Sequence, residues 1–168
     1  MSSFDLAILD LGRLDSLSYN DTVVHRLDPR AKLLATITFV VAVVSFPKYA
    51  LTSLIPFFYF PILMVYLANL PLGFLLKKLL VVSPFALFIG IFNPFLDREV
   101  FIHLGPIGIS GGWISFGSVM LRFVLTVGAA LILIATTSFP GICNALERLK
   151  VPRLFVVQLM LLYRFVFV

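Results

Sequence analysis

Hydrophobic residues run along this chain in long blocks separated by short polar clusters. Tyr49–Leu70 is 22 residues without a charge and Leu79–Leu96 another 18. About 18 or more such residues suffice to cross a hydrocarbon core ~30 Å thick as one helix. The blocks predict spans at about 31–46, 49–70, 79–96 and 114–137. The predicted fold is therefore all-α: a polytopic helical membrane protein with about four transmembrane helices.

Local signals refine the spans. Asp28 precedes Pro29, a capping residue before a proline at the first helical position, so a helix is expected to start there and to carry the first span from near Ala31 to Phe46, where Pro47-Lys48 closes it. Arg30 and Lys32 are expected at its polar boundary. Pro56 and Pro61 predict a kinked second span, since each proline frees a carbonyl. Pro71, Gly73, Lys77 and Lys78 read as a basic turn, and the third span carries Pro84, Asn93 and Pro94. Residues 97–112 read as a polar, glycine-rich loop leading to Trp113, which suits the membrane interface.

Two segments flank the membrane region. Residues 1–30 form an N-terminal segment in which Phe4, Ile8, Leu11 and Leu14 recur at helical spacing, so a short amphipathic helix is predicted. It has no apolar signal-peptide core, and the chain is expected to enter the membrane through its first span. Residues 140–168 open with a charged amphipathic stretch, Pro140–Arg153, followed by an apolar run to Val168. That last run is short for a span and fits an interfacial helix better, though hydropathy leaves both readings open.

Charge orients the chain. With the N-terminus inside, nine basic residues (Arg13, Arg26, Arg30, Lys32, Lys77, Lys78, Arg148, Lys150 and Arg153) face the cytoplasm, against Lys48 and Arg98 outside. That bias predicts a cytoplasmic N-terminus. The basic residues sit as topology signals beside apolar runs, so nucleic acid is not an expected partner.

Catalytic chemistry is hard to place. The single cysteine, Cys143, excludes a disulfide framework. His25 and His103 fall on opposite sides in this topology, and neither a nucleophile elbow nor a phosphate-binding P-loop is present. No catalytic, cofactor-binding or metal-binding residue is assigned. Arg122 and Arg164 are the conspicuous charges in apolar sequence. An intramembrane arginine is costly enough to be a functional candidate, with backbone carbonyls, Asn93 or another subunit as partners, or else it snorkels to a headgroup.

Asp28, Pro29, Arg30 and Lys32 belong to Leu27-Asp28-Pro29-Arg30-Ala31-Lys32-Leu33, which resembles the L-D-P-R-x-K-L signature of the T components of energy-coupling-factor (ECF) transporters. Several further segments are similar, in order, to the cobalt-type CbiQ branch. They are Leu72–Lys78, Ser83-Pro84-Phe85, Phe92-Asn93-Pro94-Phe95, Gly111-Gly112-Trp113, Leu121-Arg122-Phe123, Ala135-Thr136-Thr137 and Leu149-Lys150-Val151-Pro152. The resemblance implies a non-catalytic transducer of a cobalt or nickel importer in a bacterial cytoplasmic membrane. It would join ABC-type ATPase subunits, which hold the ATP, to a substrate-binding membrane subunit. Residues 140–168 would then be the start of a cytoplasmic coupling domain, with Leu154–Val168 a cytoplasmic helix rather than a fifth span. Its expected ATPase contacts are Leu146, Arg148, Leu149, Lys150, Arg153 and Arg164, while Asn93 and Arg122 are expected at intramembrane packing or subunit interfaces. The family's A-R-x-R-G-type coupling motifs are expected beyond Val168, leaving this chain an incomplete transducer.

Two other classes compete. A membrane-embedded enzyme on lipid-linked substrates would need paired acids, and Asp97 with Glu99 is the nearest pair. An autonomous channel or carrier would favour inverted repeats and mid-membrane polarity, of which the sequence has little.

Overall fold

The computed structural model describes residues 12–47, 51–92, 100–104 and 107–167. Residues 12–17 are helical, and α1 is one turn, Val23–Arg26. Then come α2 (Pro29–Ser45), α3 (Leu51–Leu54), a 3-10 turn (Ile55–Phe58), α4 (Tyr59–Leu67) and α5 (Leu72–Gly90). A hairpin of β1 (Val100–Leu104) and β2 (Ile107–Ser110) precedes α6 (Gly111–Thr137), α7 (Phe139–Arg148) and α8 (Arg153–Phe167).

Among the described residues, two helices are long and apolar enough to cross a membrane, α5 and α6. Helix α2 has 17 residues, about 25 Å of rise. The second predicted span is broken. Pro56 lies in the 3-10 turn and Pro61 in the first turn of α4, so the segment is a short helix, a tighter turn and a second helix. Missing proline N–H groups account for the interruption.

Two sequence expectations are corrected. The basic turn at residues 71–78 is helical: Pro71 is the extended N-cap of α5, and Gly73, Lys77 and Lys78 sit in its first two turns. Lysine is a good helix former, so the pair does not interrupt an otherwise apolar run. The loop expected at 97–112 contains an antiparallel hairpin, pairing Ile102 with Ile109, His103 with Gly108 and Leu104 with Ile107, with an irregularity between Val100 and Ile102. A β-branched and aromatic run supplies the first strand. Asn93, Pro94, Asp97 and Glu99, like the predicted helix around Phe4–Leu11, lie outside the described residues.

The chain divides into two compact units. One comprises Met1–Thr38, Met64–Leu70 and Ala130–Val168. Its buried apolar residues include Leu14, Val24, Leu33, Ala68, Ala135, Cys143 and Val156. Helix α4 ends here in a left-handed cap: Asn69 has φ 51°, and the Leu70 and Asn69 N–H groups donate back to Val65 and Tyr66. The other unit comprises Phe39–Leu63 and Pro71–Ala129. Its core gathers Phe39, Val43, Leu54, Leu125 and Ala129. Phe39 stacks on Phe60 at 4.6 Å between centroids, and Phe46 meets Phe57 edge-on at 5.2 Å. In lipid such a cluster gains close van der Waals contact rather than exclusion of water.

Candidate functional site

The chemistry-bearing residues of the first unit converge where α6 ends and α7 begins. Asp28 caps α2: its Oδ1 accepts the Arg30 N–H at 3.0 Å, and its carbonyl accepts the Lys32 N–H at 3.2 Å. One turn into α2, Lys32 points inward and is 7% exposed. Its Nζ donates to the Thr136 carbonyl at 2.7 Å and lies 3.5 Å from that of His25. Thr136 is in the last turn of α6, where main-chain carbonyls lack helical partners and the helix dipole places negative charge. A cation from one helix thus caps the C-terminus of another. His25 is fixed beside it, Nε2 donating to the Leu17 carbonyl at 3.0 Å and Nδ1 accepting from Thr22 Oγ1 at 2.6 Å.

Immediately after α6 the chain bends sharply at Ser138, with φ 59° and ψ 156°. That region is almost reserved for glycine and stores about 1–3 kcal/mol of strain in any other residue. Ser138 also caps α7, its Oγ accepting the Gly141 N–H at 3.3 Å. Asp15 reaches the same elbow: Oδ1 accepts the Phe139 N–H at 3.3 Å and Oδ2 accepts the Tyr163 hydroxyl at 2.8 Å. The Tyr163 and Phe139 rings stack at 5.0 Å with 7° between planes. Burial, then the Asp15 carboxylate, push the Tyr163 phenol up to about 12.

Helix α7 is amphipathic in place. Cys143 and Ala145 are buried, Leu146 and Leu149 half-buried, and Glu147, Arg148 and Lys150 exposed. Burial pushes the Cys143 thiol up, which keeps it protonated and slow to react. The helix ends in a Schellman motif, with Val151 N–H donating to Leu146 and Lys150 N–H to Glu147, and with Lys150 at φ 64°. Pro152 follows and α8 starts at Arg153.

Of the residues singled out from the sequence, Arg148, Lys150 and Arg153 gather around the α7–α8 turn. Arg153 Nε pairs with Glu147 Oε1 at 3.0 Å, an exposed ion pair of little energetic weight. Arg164 is exposed and eleven residues further along α8, about 16 Å of helical rise from Arg153, so it does not join them. Asn93 lies outside the described residues. In the second unit, Arg122 Nη2 donates to the Phe46 and Pro47 carbonyls at 2.6 and 2.8 Å, so of the partners expected for it, backbone carbonyls are present. These carbonyls follow the C-terminus of α2. Helices α2 and α6 therefore exchange caps, Lys32 serving α6 and Arg122 serving the end of α2.

Sequence reasoning missed Asp15, Phe139, Tyr163 and Ser138 and placed Lys32 merely at a boundary. The partners of Lys32 are main-chain carbonyls, which leave no mark in a sequence. Among the described residues, no three His, Cys, Asp or Glu side chains are grouped to hold a metal ion.

A family model described as "Cobalt transport protein", CbiQ, matches residues 20–168. The chain belongs to the CbiQ family. Its curated relatives include the "Energy-coupling factor transporter transmembrane protein EcfT" of Streptococcus thermophilus, 30% identical over 142 residues, covering 79% of this chain and 50% of that protein. The protein of the same name from Limosilactobacillus fermentum is 35% identical over 136 residues, with the same coverage. This CbiQ-family chain spans about half the length of the curated relatives it matches. No solved structure matches it. Family and apolar helices together make it a membrane protein.

Proposed function

We propose that this chain is part of the non-catalytic transmembrane subunit, the T component, of an ECF-type ABC importer for cobalt or nickel ions in a bacterial cytoplasmic membrane. In this reading it transmits the closure of separate ABC-type ATPases to a separate substrate-binding membrane subunit. The metal follows the family's description as a cobalt transport protein; the relatives' names carry no metal. Residues 31–139 form the transmembrane domain, with four crossings made by α2, the broken α3–α4 segment, α5 and α6. Residues 1–30 and 140–168 lie in the cytoplasm.

One observation carries the topology. Asp15 touches both Phe139 and Tyr163, which supports placing the segment before α2 and the segment after α6 on one side of the bilayer. That requires an even number of crossings between them. It favours four spans with α7 and α8 outside the membrane, and the basic-residue bias assigns that side to the cytoplasm. The short α2 and the proline-broken second segment then cross as helices supported by their neighbours, as lipid demands of any spanning backbone.

Coupling follows from placement. A 27-residue apolar helix runs directly into α7, and the exposed Arg148, Lys150 and Arg153 around the α7–α8 turn, beside half-buried Leu146 and Leu149, suit a groove with an acidic edge. ATPase motion displacing α7 would be delivered to α6 through the Ser138 elbow. The test is co-purification in detergent of the tagged chain, co-expressed with ECF ATPases and substrate subunit. Reversing Arg148, Lys150 and Arg153 to glutamate is expected to release the ATPases while the substrate subunit stays bound. Retention of the ATPases by that variant overturns the coupling assignment.

A further inference from the structure

Three segments far apart in sequence close a ring around the elbow. Asp15, Phe139 and Tyr163 each touch the other two: the Asp15 carboxylate accepts from the Phe139 main chain and the Tyr163 hydroxyl, and the two rings stack. Phe139 is the residue immediately after strained Ser138. Holding its N–H and its ring fixes the direction in which α7 leaves α6. Tyr163 belongs to α8, so the same contacts bind α8 to the start of α7.

We propose that Asp15, Phe139 and Tyr163 are a clasp by which the N-terminal segment locks the α6–α7 elbow and makes α7 and α8 one rigid lever. Each member is needed for a different reason. Asp15 offers two acceptor oxygens, one for each helix. Tyr163 donates through its hydroxyl and braces through its ring, and its raised pKa keeps that proton in place. Phe139 supplies the first N–H of α7, which has no partner within its own helix. Opening the clasp would free α7 to swing about Ser138, whose backbone favours release. The inference stands on these contacts alone and does not require the transport reading.

Cys143 gives a direct readout. It is the sole cysteine, lies in α7 and is 1% exposed, so alkylation by a maleimide reports how often α7 lifts. With the full chain in detergent, Asp15→Ala is expected to speed Cys143 alkylation about tenfold or more, the weight of hydrogen bonds to a charged group. Tyr163→Phe, which keeps the stacked ring, is expected to give a smaller acceleration. The double variant should react no faster than Asp15→Ala alone, because the Tyr163 hydroxyl acts through Asp15. Asp21→Ala, which removes an exposed ion pair with Arg26 in the same unit, should leave the rate unchanged. If Asp15→Ala does not fold, Asp15→Asn and Tyr163→Phe carry the same comparison, with helical circular dichroism verifying the fold. Unchanged rates, multiplying effects of Asp15 and Tyr163, or an equal acceleration in Asp21→Ala each overturn the clasp.

Discussion

The Lys32 ammonium lies 2.7 Å from the Thr136 carbonyl oxygen, so a cation near the start of α2 closes the end of α6 across 104 positions of sequence. Its side chain is buried, and the acceptor sits where the α6 dipole is most negative. Replacing Lys32 by methionine keeps the length of the side chain and removes the donor. Lys32→Met is expected to destabilise the protein by about 2 kcal/mol, in the range for a hydrogen bond to a charged group. Unfolding in mixed detergent micelles measures it, and an unchanged midpoint would show that Thr136 finds another donor.

Arg122 makes the reciprocal contact, and here one nitrogen, Nη2, donates to both carbonyls. The planar fork of arginine is therefore not what the site uses, and a lysine ammonium can serve the same two oxygens. Arg122→Leu is expected to lower stability by about 1.5–3 kcal/mol. Arg122→Lys should recover more than half of that in the same unfolding assay. Equal losses in the two variants would mean that the guanidinium's packing matters more than its charge.

Ser138 combines a strained backbone with a cap, and the two effects oppose each other. Glycine removes the strain, loses the cap at a cost of only a few tenths of a kcal/mol, and gains unfolded-state entropy. Ser138→Gly is expected to raise stability by about 1 kcal/mol. Ser138→Ala keeps the strain and loses the cap, so it is expected to lower stability by about 1 kcal/mol. A pair of melting curves against the parent checks both signs.

The phenol of Tyr163 holds its proton more tightly in the fold than in water, its pKa rising from 10.0 to about 12. Such a group contributes its full stabilisation below pH 10 and loses it as the pH climbs through 12. Stability should therefore fall across that alkaline interval, and Tyr163→Phe should flatten the decline. Tyrosinate absorbance, followed in parent and variant, identifies the late-titrating ring. A Tyr163 that ionises with the exposed tyrosines would contradict the Asp15 hydrogen bond.

Local physics made part of this fold readable in advance. The Asp28-Pro29 start of α2, the long apolar α6 and the amphipathic α7 are written in adjacent residues, where capping, hydropathy and periodicity act. The helical course of residues 72–78 was obscured because lysines beside a proline and a glycine imitate a turn. The hairpin was passed over because Gly105, Gly108, Gly111 and Gly112 give its segment the composition of a loop. At the elbow, the Asp15–Tyr163 contact spans 148 positions, and the Phe139 and Thr136 partners are main-chain atoms. Neither kind of contact has a pattern that a window of sequence can hold.

In the proposed four-span topology α6 crosses the bilayer, and its length makes the bilayer itself a mechanical component. Its 27 residues extend about 40 Å, while the hydrocarbon layer is about 30 Å thick. The excess must be taken up by a lean of about 40° or by protrusion into the headgroups. Either way, acyl-chain length sets how far Ser138 stands from the lipid, and with it the leverage available at the elbow. Reconstitution in lipids of graded chain length thus tunes the same joint that the clasp holds, with no change to the polypeptide.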